Sequence, residues 1–150
     1  MRLTNTILLP RAVLFLCLVF ALPQTWAENI TLMIKKQTVY AEVANTAQSR
    51  ERGLMQRDRM CTDCGMLFVF EKADRHNFWM KDTPLALSVA FIGADGDIIN
   101  IEEMLPGTTD IHSAKGDALY ALEMHSGWFA RNSIKPGDRV RRVKSAPAAH

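Results

Sequence analysis

The sequence has few cysteines, no glycine-rich phosphate loop and no long apolar run. It contains three cysteines in 150 residues, and only Cys61 and Cys64 lie beyond residue 27. Ser88 sits in an apolar segment without a surrounding G-x-S-x-G turn, and no internal repeat or low-complexity segment is present. These features argue against a serine hydrolase of that type, a P-loop nucleotide-binding enzyme and a repeat protein.

The first 27 residues have the pattern of a secretory signal peptide. Arg2 and Arg11 precede the apolar run 12–23, and Thr25 and Ala27 place small residues at the −3 and −1 positions. That run is shorter than the ~20 residues that span a bilayer. We therefore expect cleavage after Ala27 and a periplasmic or secreted protein, with an uncleaved membrane anchor as the alternative.

The basic balance of the chain disappears when the predicted signal peptide is set aside. The sequence has 18 Lys+Arg and 16 Asp+Glu, and residues 1–27 hold two of the arginines and no acid, which leaves 16 of each. A neutral chain lacks the uncompensated basic surface that a phosphate backbone requires. We therefore expect no nucleic-acid partner, and the alternating basic residues of segment 139–144 are typical of the outer face of a strand.

Short β-branched segments separated by turn signals predict a mainly β fold. Strands are predicted at 30–34, 38–44, 65–70, 76–80, 85–92, 97–104, 119–124 and 139–143, and the GADG turn at 93–96 predicts a hairpin. One short helix is predicted at 46–56 with Gln at its third position, and Ser126 is predicted to cap a helical turn. The expected architecture is a compact single domain over 28–144, a sandwich or barrel, with 145–150 as a disordered tail.

Four motifs stand in order along this predicted domain: Arg52-Gly53-Leu54-Met55, the GMLFVF run at 65–70, the FWMKDTP segment at 78–84, and Ala90-Phe91-Ile92 before the GADG turn. In these motifs and their spacing the chain resembles domain-of-unknown-function family 192, over residues 30–143. The resemblance implies a compact, mainly β fold with a short helix near RGLM, and it implies no settled biochemical function. The family pattern before GMLF is a polar turn without cysteines, so nothing about Cys61 and Cys64 follows from it.

The C-x-x-C pair has three interpretations. In an oxidising compartment, an even number of cysteines favours a disulfide between Cys61 and Cys64, which would close a very short loop. A redox-active pair normally lies at a helix N-terminus, whereas this pair precedes a predicted strand. Metal ligation is the third interpretation, although a single C-x-x-C is only half of a zinc site.

Methionines are frequent beyond residue 27. Thioether, thiolate and imidazole ligands together suit Cu(I), and Met60, Cys61, Cys64 and Met66 lie close in sequence. Periplasmic copper handling is therefore an alternative function. Methionines in apolar strands such as Met80 also fill gaps in a core, and no ligand pair has a recognised spacing, so we assign no metal ligand and no cofactor.

The FWMK segment supplies the candidate ligand-binding residues. Trp79 and Lys81 alternate in a predicted strand and should share one face. Together with carboxylates they would form a cleft for a small anionic or sugar-like ligand. The candidate residues are Arg52, Trp79, Lys81, Glu103 and Glu123. The competing interpretation makes Trp79 a core anchor, Lys81 a solvated charge and Arg52 a helix-surface charge.

No catalytic constellation emerges from the sequence. Glu102 and Glu103 are adjacent and should point to opposite faces of a strand, and a disulfide would disable a Cys64–His76 pair. The leading hypothesis is a non-catalytic exported protein that binds a small molecule or an envelope protein. The alternatives are a copper-handling or redox protein using Cys61 and Cys64, and a hydrolase acting on an envelope component.

Overall fold

The computed structural model describes residues 28–150, so the predicted signal peptide lies outside the described residues. The strands and helices are short and follow one another closely. They are β1 Asn29–Ile34, β2 Gln37–Ala44, α1 Ala47–Arg52, β3 Cys64–Asp74, β4 Asn77–Phe78, β5 Leu87–Ile92, β6 Ile98–Met104, β7 His112–Ser113, β8 Ala118–His125, α2 Trp128–Arg131, β9 Val140–Arg141 and a 3-10 turn Val143–Ser145.

Seven strands form one sheet in the order β6-β5-β8-β3-β2-β1-β9, and β4 pairs with β7 in a small second sheet. Neighbouring strands are antiparallel except β2 and β3, which run parallel. The large sheet curls into a half-barrel. The mainly β prediction is confirmed, and so is the predicted hairpin, because β5 and β6 pair on either side of the GADG turn.

Both faces of the central strands are covered, which explains why these strands are apolar along their whole length. Leu67, Leu122 and Met124 contribute to the core on one face, together with Trp128 and Phe129 of α2. The opposite face carries a second core, formed by the alternate residues of the central strands and by Met80 from the loop after β4. The strand residues of this core include Met66, Phe68, Leu87, Val89, Phe91 and Ala121. This second face supports the candidate site.

The helical predictions need correction in their details. The helix α1 is shorter than the predicted 46–56, because the chain takes a positive φ of 47° at Gly53. Its capping box is formed by Thr46 and Ser49, with Ser49 at the third helical position where Gln was expected. Ser126 does not cap α2: its hydroxyl donates to Glu103 Oε2 at 2.8 Å, and Gly127 occupies the N-cap position.

Three segments differ from the sequence prediction. The predicted strand 76–80 pairs only at Asn77–Phe78, and the predicted strand 139–143 is reduced to β9 before the 3-10 turn begins. The C-terminal segment 145–150, predicted to be disordered, is anchored to Asn45 by hydrogen bonds from Asn45 Nδ2 to the Ala148 carbonyl and from the His150 amide to the Asn45 carbonyl. Within residues 28–150, no helix is long and apolar enough to cross a membrane.

Candidate ligand-binding site

A pocket of about 240 Å³ lies between α1, the middle of β3, β4 with the residue that follows it, and β8. It opens on the face of the sheet that carries the second core. The pocket is lined by three charged side chains of α1, by a group of apolar and aromatic side chains, and by one buried acid. The lining residues are Arg50, Glu51, Arg52, Gly53, Leu54, Met55, Phe68, Phe70, Asn77, Phe78, Trp79, Thr83 and Glu123.

The RGLM motif forms the wall contributed by α1. Arg50 fixes the helix to the sheet, because its Nη1 donates to the Val69 carbonyl at 3.1 Å and to the Asn45 carbonyl at 2.7 Å. Gly53 ends the helix against the ring of Phe68, where an added Cβ would lie 3.3 Å from Cζ. Arg52 is exposed at the rim, and among residues 28–150 its side chain makes no ion pair.

The GMLF motif forms the part of the wall that belongs to the sheet. Gly65 faces Met124 across the β3–β8 pair, and a Cβ on Gly65 would lie 2.3 Å from the Glu123 carbonyl oxygen. Only glycine permits this close approach of the two strands. Met66 is then directly opposite Glu123, and Phe68, two residues further on the same face, reaches the pocket.

The FWMK motif closes the pocket from the other side. The ring of Phe78 packs edge-on against Phe68, with centroids 4.8 Å apart, and Trp79 lines the pocket with 47% of its surface exposed. The interpretation of Trp79 as a core anchor is therefore wrong. Met80 turns inward and is fully buried, in accordance with the prediction that it fills the core.

Glu123 is the buried acid of the pocket. It lies on the central strand β8, is 4% exposed, and its Oε2 has no hydrogen-bond partner among the described residues. Burial raises the pKa of Glu123 from 4.5 to about 8, since the charged form loses its water. Among residues 28–150, no neighbouring cation counteracts this effect. At neutral pH the carboxyl group is therefore predominantly protonated.

Two further carboxylates on the same row of the sheet show what Glu123 lacks. The row runs Glu42, Met66, Glu123, Val89 and Glu102 across strands β2, β3, β8, β5 and β6. Glu42 forms an ion pair with Arg57, and Glu102 forms one with Lys115 at 3.0 Å. Burial acts to raise the pKa of Glu102, but its hydrogen bonds from Lys115 and Asn100 outweigh burial and lower it. Glu123, between these pairs, has no cation partner in the described part of the chain.

The structure brings together three of the five candidate residues. Arg52, Trp79 and Glu123 line the pocket, whereas Lys81 and Glu103 do not. The Lys81 Nζ lies 5.7 Å from the centroid of the Trp79 ring, outside the pocket. Strand alternation does not extend to Lys81, because the chain leaves β4 after Phe78 and the Met80 amide bonds to the Thr108 carbonyl.

Glu103 lies on the opposite face of the sheet from Glu102. It accepts hydrogen bonds from the Ser88 hydroxyl at 2.7 Å, from the Ser126 hydroxyl at 2.8 Å and from the Gly127 amide at 3.1 Å. These contacts fix the chain before α2. Glu103 is therefore a structural residue, and the expectation that Glu102 and Glu103 point to opposite faces agrees with the strand geometry.

Sequence reasoning missed most of the aromatic wall. The sequence pattern predicts core positions for Phe68, Phe70 and Phe78. It does not separate Phe70, which lines the pocket, from the buried residues beside it. The signal was the period of two along β3, which places Met66, Phe68 and Phe70 on one face. Leu54 and Met55 of the RGLM motif were missed as well, because their position at the end of α1 depends on the turn at Gly53.

Cys61 and Cys64 are joined in a disulfide, so the first of the three interpretations describes the pair. Asp63 between them accepts a hydrogen bond from the Trp128 indole at 3.0 Å, which ties this turn to α2. With both sulfurs in the disulfide, neither is available as a thiolate ligand. Among residues 28–150, no three His, Cys, Asp or Glu side chains are grouped as a metal site.

Comparison with solved structures supports the fold. A crystal structure from Sinorhizobium meliloti 1021, described as that of a proposed transcription regulator, is 33% identical with a TM-score of 0.69, over 75% of this chain and 91% of that chain. A protein of unknown function from Novosphingobium aromaticivorans DSM 12444 is 30% identical with a TM-score of 0.73, over 79% and 89% of the two chains. Among curated proteins, none matches this sequence.

The sequence model of domain-of-unknown-function family 192, described as "Uncharacterized ACR", matches residues 30–142. That span includes α1, every strand that lines the pocket, and the RGLM, GMLF and FWMK motifs. Three of the four motifs that carried the resemblance, RGLM, GMLF and FWMK, thus contribute side chains to one pocket. The chain belongs to domain-of-unknown-function family 192, an uncharacterised family.

Proposed function

We propose that this protein is an exported, non-catalytic protein that binds a small molecule in the pocket between α1, the middle of β3 and β4. The observation that carries the proposal is Glu123, a buried carboxyl group on the pocket wall without a hydrogen-bond partner for Oε2. Leaving such a group unpaired costs about 1–3 kcal/mol. A ligand that bonds to Glu123 removes that cost. Export rests on the signal-peptide pattern of residues 1–27.

The dimensions and lining of the pocket restrict the ligand. Its volume of about 240 Å³ is smaller than the roughly 300–1,000 Å³ of sites for drug-sized ligands. The aromatic rings of Phe68, Phe70, Phe78 and Trp79 provide an apolar body for the site. Arg52 provides a positive charge at the rim. These properties favour a small molecule that is partly apolar and carries polar groups at its ends.

The lining also favours binding over catalysis. Among the described residues, those that line the pocket include no histidine, serine, cysteine or lysine. The hydroxyl of Thr83 donates to the Lys81 carbonyl at 3.2 Å. A nucleophile with an adjacent base is therefore not part of the lining.

An envelope hydrolase is a second candidate function, favoured by the raised pKa of Glu123. A protonated, buried glutamic acid has the property that a general acid needs. The other carboxyl group in the lining is Glu51, which is exposed on α1. Turnover of a bound compound by the wild type but not by Glu123→Gln would favour this candidate. Unchanged recovery of the compound from both proteins would exclude it.

Native mass spectrometry of the protein purified from its own periplasm tests the proposal. We expect a polypeptide that begins at Glu28 and retains a small non-covalent ligand. Trp79→Ala should lose the ligand, whereas Tyr40→Ala should retain it, because Tyr40 is 57% exposed but does not line the pocket. Equal ligand content in Trp79→Ala and wild type, or no ligand in any of the three proteins, would contradict the proposed function.

A further inference from the structure

The two charged ends of the pocket differ in their surroundings. At the inner end the Glu123 carboxyl lies between Met66 and Val89 on the sheet, and Oε2 is unpaired. At the outer end Arg52 is exposed and unpaired among the described residues. The remaining charged groups that line the pocket are Arg50, which pairs with Glu71 at 3.5 Å, and Glu51 on the exposed side of α1.

We propose that the pocket binds an amino acid-like zwitterion, with its protonated amine against the Glu123 carboxyl and its acidic group against Arg52. This inference rests on the proposed small-molecule function and specifies the ligand class. A neutral ligand would leave Arg52 without an ionic partner, and an anion without an amine would not supply the positive charge that pairs with the carboxylate form of Glu123.

The comparison along the row of the sheet indicates that the missing partner of Glu123 is a cation. Glu42 and Glu102, on the same row and face, each have a basic side chain, Arg57 and Lys115 respectively. No basic side chain of the described residues reaches Glu123. A ligand amine would supply that charge, and it would lie beside the aromatic lining, which attracts organic cations through the π-electrons of the rings.

The protonation state of Glu123 makes the inference testable. Burial raises the pKa of Glu123 to about 8, so the free protein holds a proton on this group at pH 7. When an ammonium group binds, the carboxylate form is favoured and the proton leaves Glu123 for solvent. Since a group with a pKa of about 8 is mostly protonated at pH 7, binding should release up to about one proton per ligand.

Isothermal titration calorimetry in buffers of different ionisation enthalpy measures this release. The probes are leucine, phenylalanine and the ω-amino acids from glycine to 6-aminohexanoate. Each is compared with its N-acetyl form, which lacks the positive charge, and with its amide, which lacks the negative charge. We expect at least one free amino acid to bind with proton release. Its N-acetyl form should bind more weakly and release no proton.

Two glutamine variants test the contributions of the Glu123 end and the Arg52 end of the pocket separately. Glu123→Gln should abolish proton release and weaken the amino acid by at least about 30-fold, the effect of removing one partner of a buried charge pair. Arg52→Gln should weaken the amino acid by about tenfold but leave its amide unaffected. Arg142→Gln, an exposed arginine beyond β9, is the matched control and should behave as the wild type.

Several results would contradict the proposal that the ligand is an amino acid-like zwitterion. N-acetyl amino acids that bind as tightly as the free forms would do so, and so would binding without proton release in the wild type. In either case a small molecule occupies the pocket and the proposed function stands. If no probe binds, the zwitterion is also overturned, and the ligand retained in native mass spectrometry then decides the proposed function separately.

Discussion

Replacing Glu123 by glutamine should change how the stability of the protein depends on pH. The ordinary pKa of this group is 4.5, and burial raises it to about 8 in the folded protein. Between these values the folded state holds one proton more than the unfolded state. The free energy of unfolding of the wild type therefore falls as pH rises through this window, and Glu123 has no effect on it below the lower value.

The size of the change in unfolding free energy follows from the pH interval between the two pKa values of Glu123. Each pH unit within it corresponds to about 1.4 kcal/mol, so Glu123 should remove about 2–3 kcal/mol of stability between pH 5 and pH 7. Glutamine has nearly the same shape and does not titrate. Other carboxylates contribute equally to both proteins, so the difference in unfolding free energy between wild type and Glu123→Gln isolates this one group.

Urea denaturation of both proteins from pH 4 to pH 8 is the assay. The stability of Glu123→Gln relative to wild type should rise by about 2–3 kcal/mol from pH 5 to pH 7. Glu102→Gln is the matched control on the same row, and its effect should have the opposite sign, because ion pairing lowers the pKa of Glu102. That variant should lose stability relative to wild type as pH rises through the ordinary range of a glutamate. A pH-independent difference for Glu123→Gln would show that the pKa of Glu123 is not raised by folding.

Three further substitutions test the structural account through thermal or chemical denaturation. Gly65→Ala should cost about 3 kcal/mol or more, because its Cβ would meet the Glu123 backbone at 2.3 Å; a cost below about 1 kcal/mol would contradict this close approach. Gly53→Ala should cost about 1–3 kcal/mol, since alanine is strained at a φ of 47°, and a neutral result would exclude that conformation. The double variant Cys61→Ser/Cys64→Ser should lose roughly 2 kcal/mol or less, as expected for so short a loop, and should keep its ligand affinity because neither cysteine lines the pocket. A loss of binding would instead favour a functional role for the pair.

Features determined by neighbouring residues could be predicted from the sequence. The β5–β6 hairpin follows from the GADG turn between two apolar segments, and the β1–β2 pair follows from short alternating strands around Lys35-Lys36. The end of α1 was placed too late. The predicted helix 46–56 contains Gly53, whose positive φ and contact with Phe68 end α1 at that point.

The candidate site could be predicted only in part, because it depends on contacts between distant segments. Arg52 and Trp79 were identified from motifs, but the assignment of Lys81 assumed that strand alternation continues beyond Phe78. The hydrogen bond from the Met80 amide to the Thr108 carbonyl ends that alternation. The burial of Glu123 was also inaccessible, since an acid in an alternating strand reads as solvated until the strands on both sides and the cover over that face are known.

In the proposed site, Glu123 is a neutral, unpaired carboxyl group that receives the ligand. Carbon-13 NMR of the glutamate side-chain carboxyl groups, with Glu123→Gln to assign the resonance, tests this role of Glu123 most directly. We predict that the Glu123 resonance titrates with a pKa of about 8 in the free protein, and that saturation with a binding amino acid shifts the titration well below pH 7. A titration near the ordinary value of 4.5 that the ligand does not change would contradict the account.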